Sequence, residues 1–128
     1  MIYLDTSVAI AELFAQDRKA PDALWSEPLI SSRLFEYELW TRVNARGSAR
    51  THGDSVRDIL ARVSLVELLP SVLARAIEPF PIPVRTLDAL HLATAHHLAA
   101  AHQRVAIATF DDRMRRAAEA LGLVSLPL

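Results

Sequence analysis

The chain has 128 residues, 52% of them hydrophobic, a formal net charge of −1 and no cysteine. That length suits a single domain over 1–128 with a sizeable core, and the near-neutral balance carries no global electrostatic mark of a nucleic-acid binder. Without cysteine, disulfides and thiolate metal sites are excluded, so any metal must be held by carboxylates or imidazoles.

Ile2-Tyr3-Leu4 is a short apolar run ending on Asp5; Thr6 and Ser7 follow, then an apolar stretch over 8–14 broken by Glu12. This reads as a buried strand, an acidic tip and a helix capped by Thr6 or Ser7. A strand starting at residue 2 leaves no room for a leader peptide, and no apolar run nears the roughly 20 residues of a membrane span. The expectation is a soluble, cytoplasmic protein.

After a polar break over 16–19, Pro21 suits the first turn of a second helix with Leu24 and Trp25 inward, and Pro28 stops it. Leu29-Ile30 reads as a second strand. Ser31 or Ser32 then caps a long helix over 33–45 that Gly47 ends. Phe35, Leu39, Trp40 and Val43 form its apolar stripe, with Glu38 beside it. Residues 54–62 are helical by period, 65–69 form a third strand closed by Pro70, and 71–77 form a short helix. Pro79, Pro81 and Pro83 mark an extended connector.

Thr86 caps the next helix, over 87–101, and this region carries His91, His96, His97 and His102. Residues 105–108 form a fourth strand running into Thr109-Phe110-Asp111-Asp112. A helix over 113–121 stops at Gly122, and 124–126 form a fifth strand. Strands alternating with helices imply an α/β fold with a mainly parallel five-stranded sheet and helices on both faces.

Four acids share one kind of place in this pattern. Asp5 ends the first strand, Glu38 lies one to two turns into the helix after the second, Asp88 opens the helix before the fourth, and Asp111 follows the fourth. In an open parallel sheet all four reach the crevice at the carboxyl edge. Four uncompensated carboxylates there repel and raise one another's pKa, and a divalent cation removes that penalty. An all-oxygen donor set suits Mg²⁺ or Mn²⁺, which polarises a phosphoryl oxygen and activates water. The chemistry implied is phosphodiester hydrolysis.

Asp5-Thr6-Ser7 after an apolar strand, Ser31-Ser32 with Glu38-Leu39, Arg85-Thr86-Leu87-Asp88-Ala89-Leu90-His91-Leu92-Ala93-Thr94-Ala95, and Thr109-Phe110-Asp111 together resemble the PIN-domain ribonucleases, most of all the VapC-type toxins of toxin–antitoxin pairs. The resemblance covers nearly the whole chain, and the segment over 86–95 is its most specific part. It implies a three-layer α/β/α sandwich, a Mg²⁺- or Mn²⁺-dependent endoribonuclease acting on RNA, a cognate antitoxin that inhibits it, and a homodimer. It assigns catalysis to Asp5, Glu38, Asp88 and Asp111, with Asp5, Asp88 and Asp111 as metal ligands. Glu36 competes with Glu38, and Asp112 with Asp111; the family spacing favours Glu38 and Asp111. Thr6 and Thr109 would support the carboxylates, with Asp112 nearby.

Plainer readings stand beside these. Asp5 before a helix is a common cap, and Asp88 in a first turn suits the helix dipole. The histidines lack H-E-x-x-H spacing, so His91 reads as a packing or supporting residue and the others as solvated. Arg113, Arg115 and Arg116 form either a solvated face or RNA phosphate contacts; Arg42, Arg46 and Arg50 are similar candidates. An aspartyl-phosphate enzyme would need a second acid at Ser7 and a lysine, whereas the one lysine, Lys19, lies in the polar break. The non-enzymatic alternative is a catalytically weak PIN-fold module that binds RNA or scaffolds a partner.

Overall fold

The computed structural model describes residues 1–101 and 104–128. Five strands, β1 (Ile2–Leu4), β2 (Leu29–Ser32), β3 (Val63–Val66), β4 (Ala106–Ala108) and β5 (Val124–Ser125), form one sheet in the order β3-β2-β1-β4-β5. Every pairing is parallel. The helices are α1 (Thr6–Leu13), α2 (Arg33–Ala45), α3 (Ala49–Arg62), α4 (Pro70–Ala76), α5 (Thr86–Ala100) and α6 (Asp112–Ala120). No helix among the described residues is long and apolar enough to cross a membrane.

The pleat of β1 divides the core. Successive side chains of a strand point to opposite faces. Ile2 and Leu4 pack with Val8, Phe35, Leu39, Val43, Val56 and Ile59 from α1, α2 and α3. Tyr3 packs the other way, with Leu92, Ala95, Met114 and Ala117 from α5 and α6. Two helical layers therefore close on one central strand, as the three-layer expectation requires.

Helix ends follow local chemistry. The Ser32 side chain accepts from the Leu34 N–H (3.1 Å), so Ser32 is the cap of α2. At its other end Gly47 adopts φ 62°, its N–H bonding Asn44 O (3.0 Å) and that of Ser48 bonding Val43 O (2.9 Å). Gly122 ends α6 in the same way at φ 82°. This paired closure satisfies carbonyls that the last turn leaves open, and glycine reaches positive φ without a Cβ penalty.

Several boundaries differ from the sequence reading. The segment after Pro21 is a 3₁₀ turn, Asp22–Ser26, rather than a full helix. The third strand begins at Val63, opposite Leu29, because α3 runs straight into it. Thr86 is the first residue of α5, and Arg85 takes the flanking position without a side-chain cap bond. Asp5 stands before α1, so neither Thr6 nor Ser7 is its cap. His102 lies outside the described residues.

Phe35 is fully buried in the layer of α1, α2 and α3. Phe35→Ala is expected to cost about 3–5 kcal/mol by leaving a cavity. Urea unfolding should show this as a lower midpoint with unchanged slope.

Candidate active site

Strand order reverses direction on either side of β1 and β4, so the crevice at their carboxyl ends is a topological switch point. A cleft of about 630 Å³ opens there, lined by Asp5, Glu38, Asp88 and Asp111 together with Tyr37, Arg18, Arg42 and Arg85.

Asp5 is 6% exposed. It stands at the cap position of α1, yet its side chain makes no cap bond. Its Oδ2 instead accepts from Ser7 Oγ (2.6 Å) and Thr109 Oγ1 (2.7 Å). Each hydroxyl also receives a backbone N–H, Ser7 from Phe110 (3.0 Å) and Thr109 from Asp111 (3.0 Å). The ends of β1 and β4 are thus laced together around one carboxylate. The capping interpretation fails for Asp5, because the side chain serves this lacing instead.

Asp111 does both jobs. Its Oδ1 caps α6 by accepting from the Arg113 and Met114 N–H groups (2.9 and 3.1 Å), while Oδ2 accepts from Arg85 Nη2 (2.7 Å). Arg85 Nε also donates to Asp88 Oδ2 (3.1 Å), so one guanidinium spans two cleft acids. Asp88 lies with its side chain 16% exposed. Burial raises its pKa; the negative charges of Asp5 and Asp111 add to the rise and Arg85 opposes it. Asp112 points away and pairs with Arg115 (2.9 Å).

Glu38 reaches the cleft from α2, and its Oε1 accepts from Thr6 Oγ1 (2.8 Å). His91 Nε2 approaches the same oxygen. Glu36 is turned toward Arg33 (3.8 Å) and does not line the cleft. Of the two glutamates Glu38 lines the cleft and Glu36 does not, a difference of azimuth around α2.

The basic residues are arranged differently from the candidates read in sequence. Arg113 is exposed, Arg116 donates to the Asp112 carbonyl (3.4 Å), and Arg115 borders a separate hollow near Ser125. None of the three lines the acidic cleft, and neither do Arg46 and Arg50. Arg18, Arg42 and Arg85 do. Sequence reasoning missed Arg18, Arg85 and Tyr37; only Arg85 had a signal, being joined directly to the segment over 86–95. His91 is fully buried, His96 half-buried and His97 exposed.

The donor set suits a hard divalent cation: carboxylates throughout, with Asp88 destabilised as an anion by burial and, to a lesser extent, by its acidic neighbours. Among the described residues no three such groups converge into a ready cage, and Arg85 supplies positive charge between two of them. The Arg85 side chain is 68% exposed, and solvent-exposed ion pairs of this kind are weak, so yielding its place costs little.

A family model for the PIN domain matches residues 2–120. The chain belongs to the PIN-domain family. Among PIN relatives, Ribonuclease VapC46 of Mycobacterium tuberculosis is 40% identical, over 95% of this chain and 93% of that protein. Ribonuclease VapC35 of the same species is 33% identical, over 96% of this chain and 93% of the relative. A chain from a toxin–antitoxin complex of Klebsiella pneumoniae superposes with a TM-score of 0.63 over 87% of both chains, at 21% identity, and supports the PIN fold.

Because the folded chain holds the Asp88 proton to higher pH than the unfolded chain does, stability falls as pH rises through that raised range. Asp88→Asn removes this loss. In metal-free buffer the variant's Tm, relative to wild type, is expected to be higher at pH 7 than at about pH 4, where the unfolded carboxylate takes up its proton. An equal difference at both pH values would contradict the assignment.

Proposed function

We propose that this single PIN domain, spanning 1–128, is the endoribonuclease toxin of a toxin–antitoxin pair, acting in the cytoplasm. The observation that carries the reading is the meeting of Asp5, Glu38, Asp88 and Asp111 in one cleft at the switch point of the sheet. The relatives named as VapC ribonucleases support the same activity, and the toxin–antitoxin neighbour supports a protein inhibitor as partner.

In this reading Asp5, Asp88 and Asp111 hold Mg²⁺ or Mn²⁺. A bound cation would supply positive charge against the phosphoryl oxygens and make water a better nucleophile. The chain's own groups do the rest. Ser7 and Thr109 fix the Asp5 carboxylate, and α6 fixes Asp111 through its cap. Glu38 accepts the proton of the attacking water. Arg18 and Arg42 take RNA phosphates along the cleft wall, and Arg85, exposed beside Asp88 and Asp111, would be available to the substrate once a bound cation took over its role against those acids. Tyr37, 61% exposed at the lip, offers a face for an unpaired base.

A homodimer fits the exposed apolar side chains of Leu69, Leu73 and Ile77, which lie on and at the two ends of α4. Arg113, exposed on α6, would be available to a longer RNA or to an acidic stretch of the antitoxin, as would Arg115 and Arg116 on giving up their contacts with Asp112.

Cleavage of a structured RNA should require Mg²⁺ or Mn²⁺ and stop with EDTA. Asp5→Asn is expected to lower kcat about 10²–10³-fold, the usual size for losing one charge-stabilising group. An Asp5→Asn protein that cleaves at the wild-type rate overturns the assignment; RNA binding without any metal-dependent cleavage by the wild type would favour the scaffolding module.

The rim is tested separately with RNA of single-stranded character. Tyr37→Ala should weaken binding by about tenfold, the scale of one base–aromatic stack, and Tyr37→Trp should restore it. Arg42→Ala should lower the salt slope of log K by about 0.7. A fluorescence titration over salt measures both.

A further inference from the structure

Behind Glu38 lies a buried group that the reading above does not use. His91 is 1% exposed and sits on α5, three residues beyond Asp88. Its Nε2 lies 2.5 Å from Glu38 Oε1, and its Nδ1 lies 2.7 Å from the hydroxyl of Tyr3. Tyr3 is fully buried on β1, two residues before Asp5, and its ring meets the imidazole edge-on at 5.8 Å and 76°.

The hydrogen inventory fixes the direction at one end. Ionised Glu38 only accepts, so Nε2 must carry a proton and donate it. Nδ1 then pairs with the Tyr3 hydroxyl, which can act as donor or acceptor. Thr6 Oγ1 donates to the same Oε1, so Glu38 is gripped at one oxygen from two elements, α1 and α5. Its Oε2 is bonded by neither. With both ring nitrogens engaged, His91 has no lone pair to offer a metal.

A histidine that served packing alone could satisfy its N–H on a core carbonyl. This one commits it to a carboxylate of the cleft and is backed by a tyrosine from the central strand. We infer that His91 is a positioning residue. Anchored by Tyr3, it holds Glu38 with Oε1 turned inward and Oε2 left for the reacting water. The kinetic part of this inference rests on the ribonuclease reading; the hydrogen-bond assignment does not.

The test combines a double-mutant cycle with a spectrum of the intact protein. His91→Leu should lower kcat about 10–100-fold, the range for partners that orient an active group, with KM changed less than about twofold. His91→Gln, which keeps an N–H donor, should recover part of the loss. In a Glu38→Gln background, His91→Leu should add nothing further, because its whole effect passes through Glu38. Losses that multiply would show a merely structural role and overturn the inference.

If His91→Leu does not fold, Tyr3→Phe removes a single oxygen and should give the same non-additive pattern at smaller size. Nitrogen-15 spectra of the imidazoles supply the arm that needs no activity. Nε2 should be protonated in the wild type, moving in Glu38→Gln, while Nδ1 moves in Tyr3→Phe. A neutral ring with its proton on Nδ1 overturns the inference even if RNA is cleaved. A wild type that cleaves no RNA overturns the ribonuclease reading instead, and the spectrum still decides His91.

Discussion

The parallel pairing of β1 with β4 is the constraint on which the rest depends. It sets Ile2 beside Ala106, Tyr3 beside Ile107 and Leu4 beside Ala108, so both strands end level with one another. Where such strands end together and the sheet's order reverses, helices leave to opposite faces and a gap opens between them. Asp5 and the Thr109–Asp111 turn then meet across that gap without any long-range folding of loops. The hydroxyls of Ser7 and Thr109 close the remaining distance, both donating to Asp5; Ser7 accepts the Phe110 N–H from the opposite strand end, and Thr109 accepts the Asp111 N–H of its own turn.

The same gap concentrates negative charge, and the chain handles it in three ways. Asp5 is stabilised by neutral hydroxyl donors within the sheet edge. Glu38 leans on Thr6 and His91. Asp88 and Asp111 share the charge of Arg85, the most solvent-exposed partner of the set, and Asp111 is also held by two backbone N–H groups of α6. Asp5, Glu38 and Asp111 thus each have a partner fixed on the sheet edge or a helix, and Asp88 pairs with the exposed Arg85. An exposed guanidinium among fixed donors leaves one place in the cleft that a cation and a phosphate could take over.

Much of this was legible in the chain. Strand ends announce themselves where an apolar run meets a lone acid, and the α/β alternation follows from spacing alone. The four cleft acids could be found because each sits at a strand end or a first or second helical turn, positions fixed by one coordinate along the chain. What escaped depends on rotation about a helix axis. Arg113, Arg115 and Arg116 follow Asp111 closely, yet α6 turns Arg115 and Arg116 toward Asp112 and Arg115 toward a different hollow, while Arg113 is exposed and does not line the cleft. Arg18 is well separated in sequence from the four cleft acids and reaches the cleft through the loop after α1. The link between Tyr3 and His91 needs the facing of both β1 and α5, and an apolar pattern does not specify which tyrosine oxygen meets which ring.

The alternation of β1 has a further meaning. Its odd member, Tyr3, looks toward α5, while its even members, Ile2 and Leu4, look toward α1 and α2. Parity along three residues therefore decides two things at once: which layer receives the hydroxyl that meets His91, and whether Asp5 emerges at the sheet's edge. A one-residue insertion or deletion within this strand would reverse both together. So short a strand has no slack in which to absorb the slip. Side chains along it can be exchanged for others of like size, but its length cannot drift, and the spacing from Tyr3 to Asp5 is fixed by the geometry of the pleat.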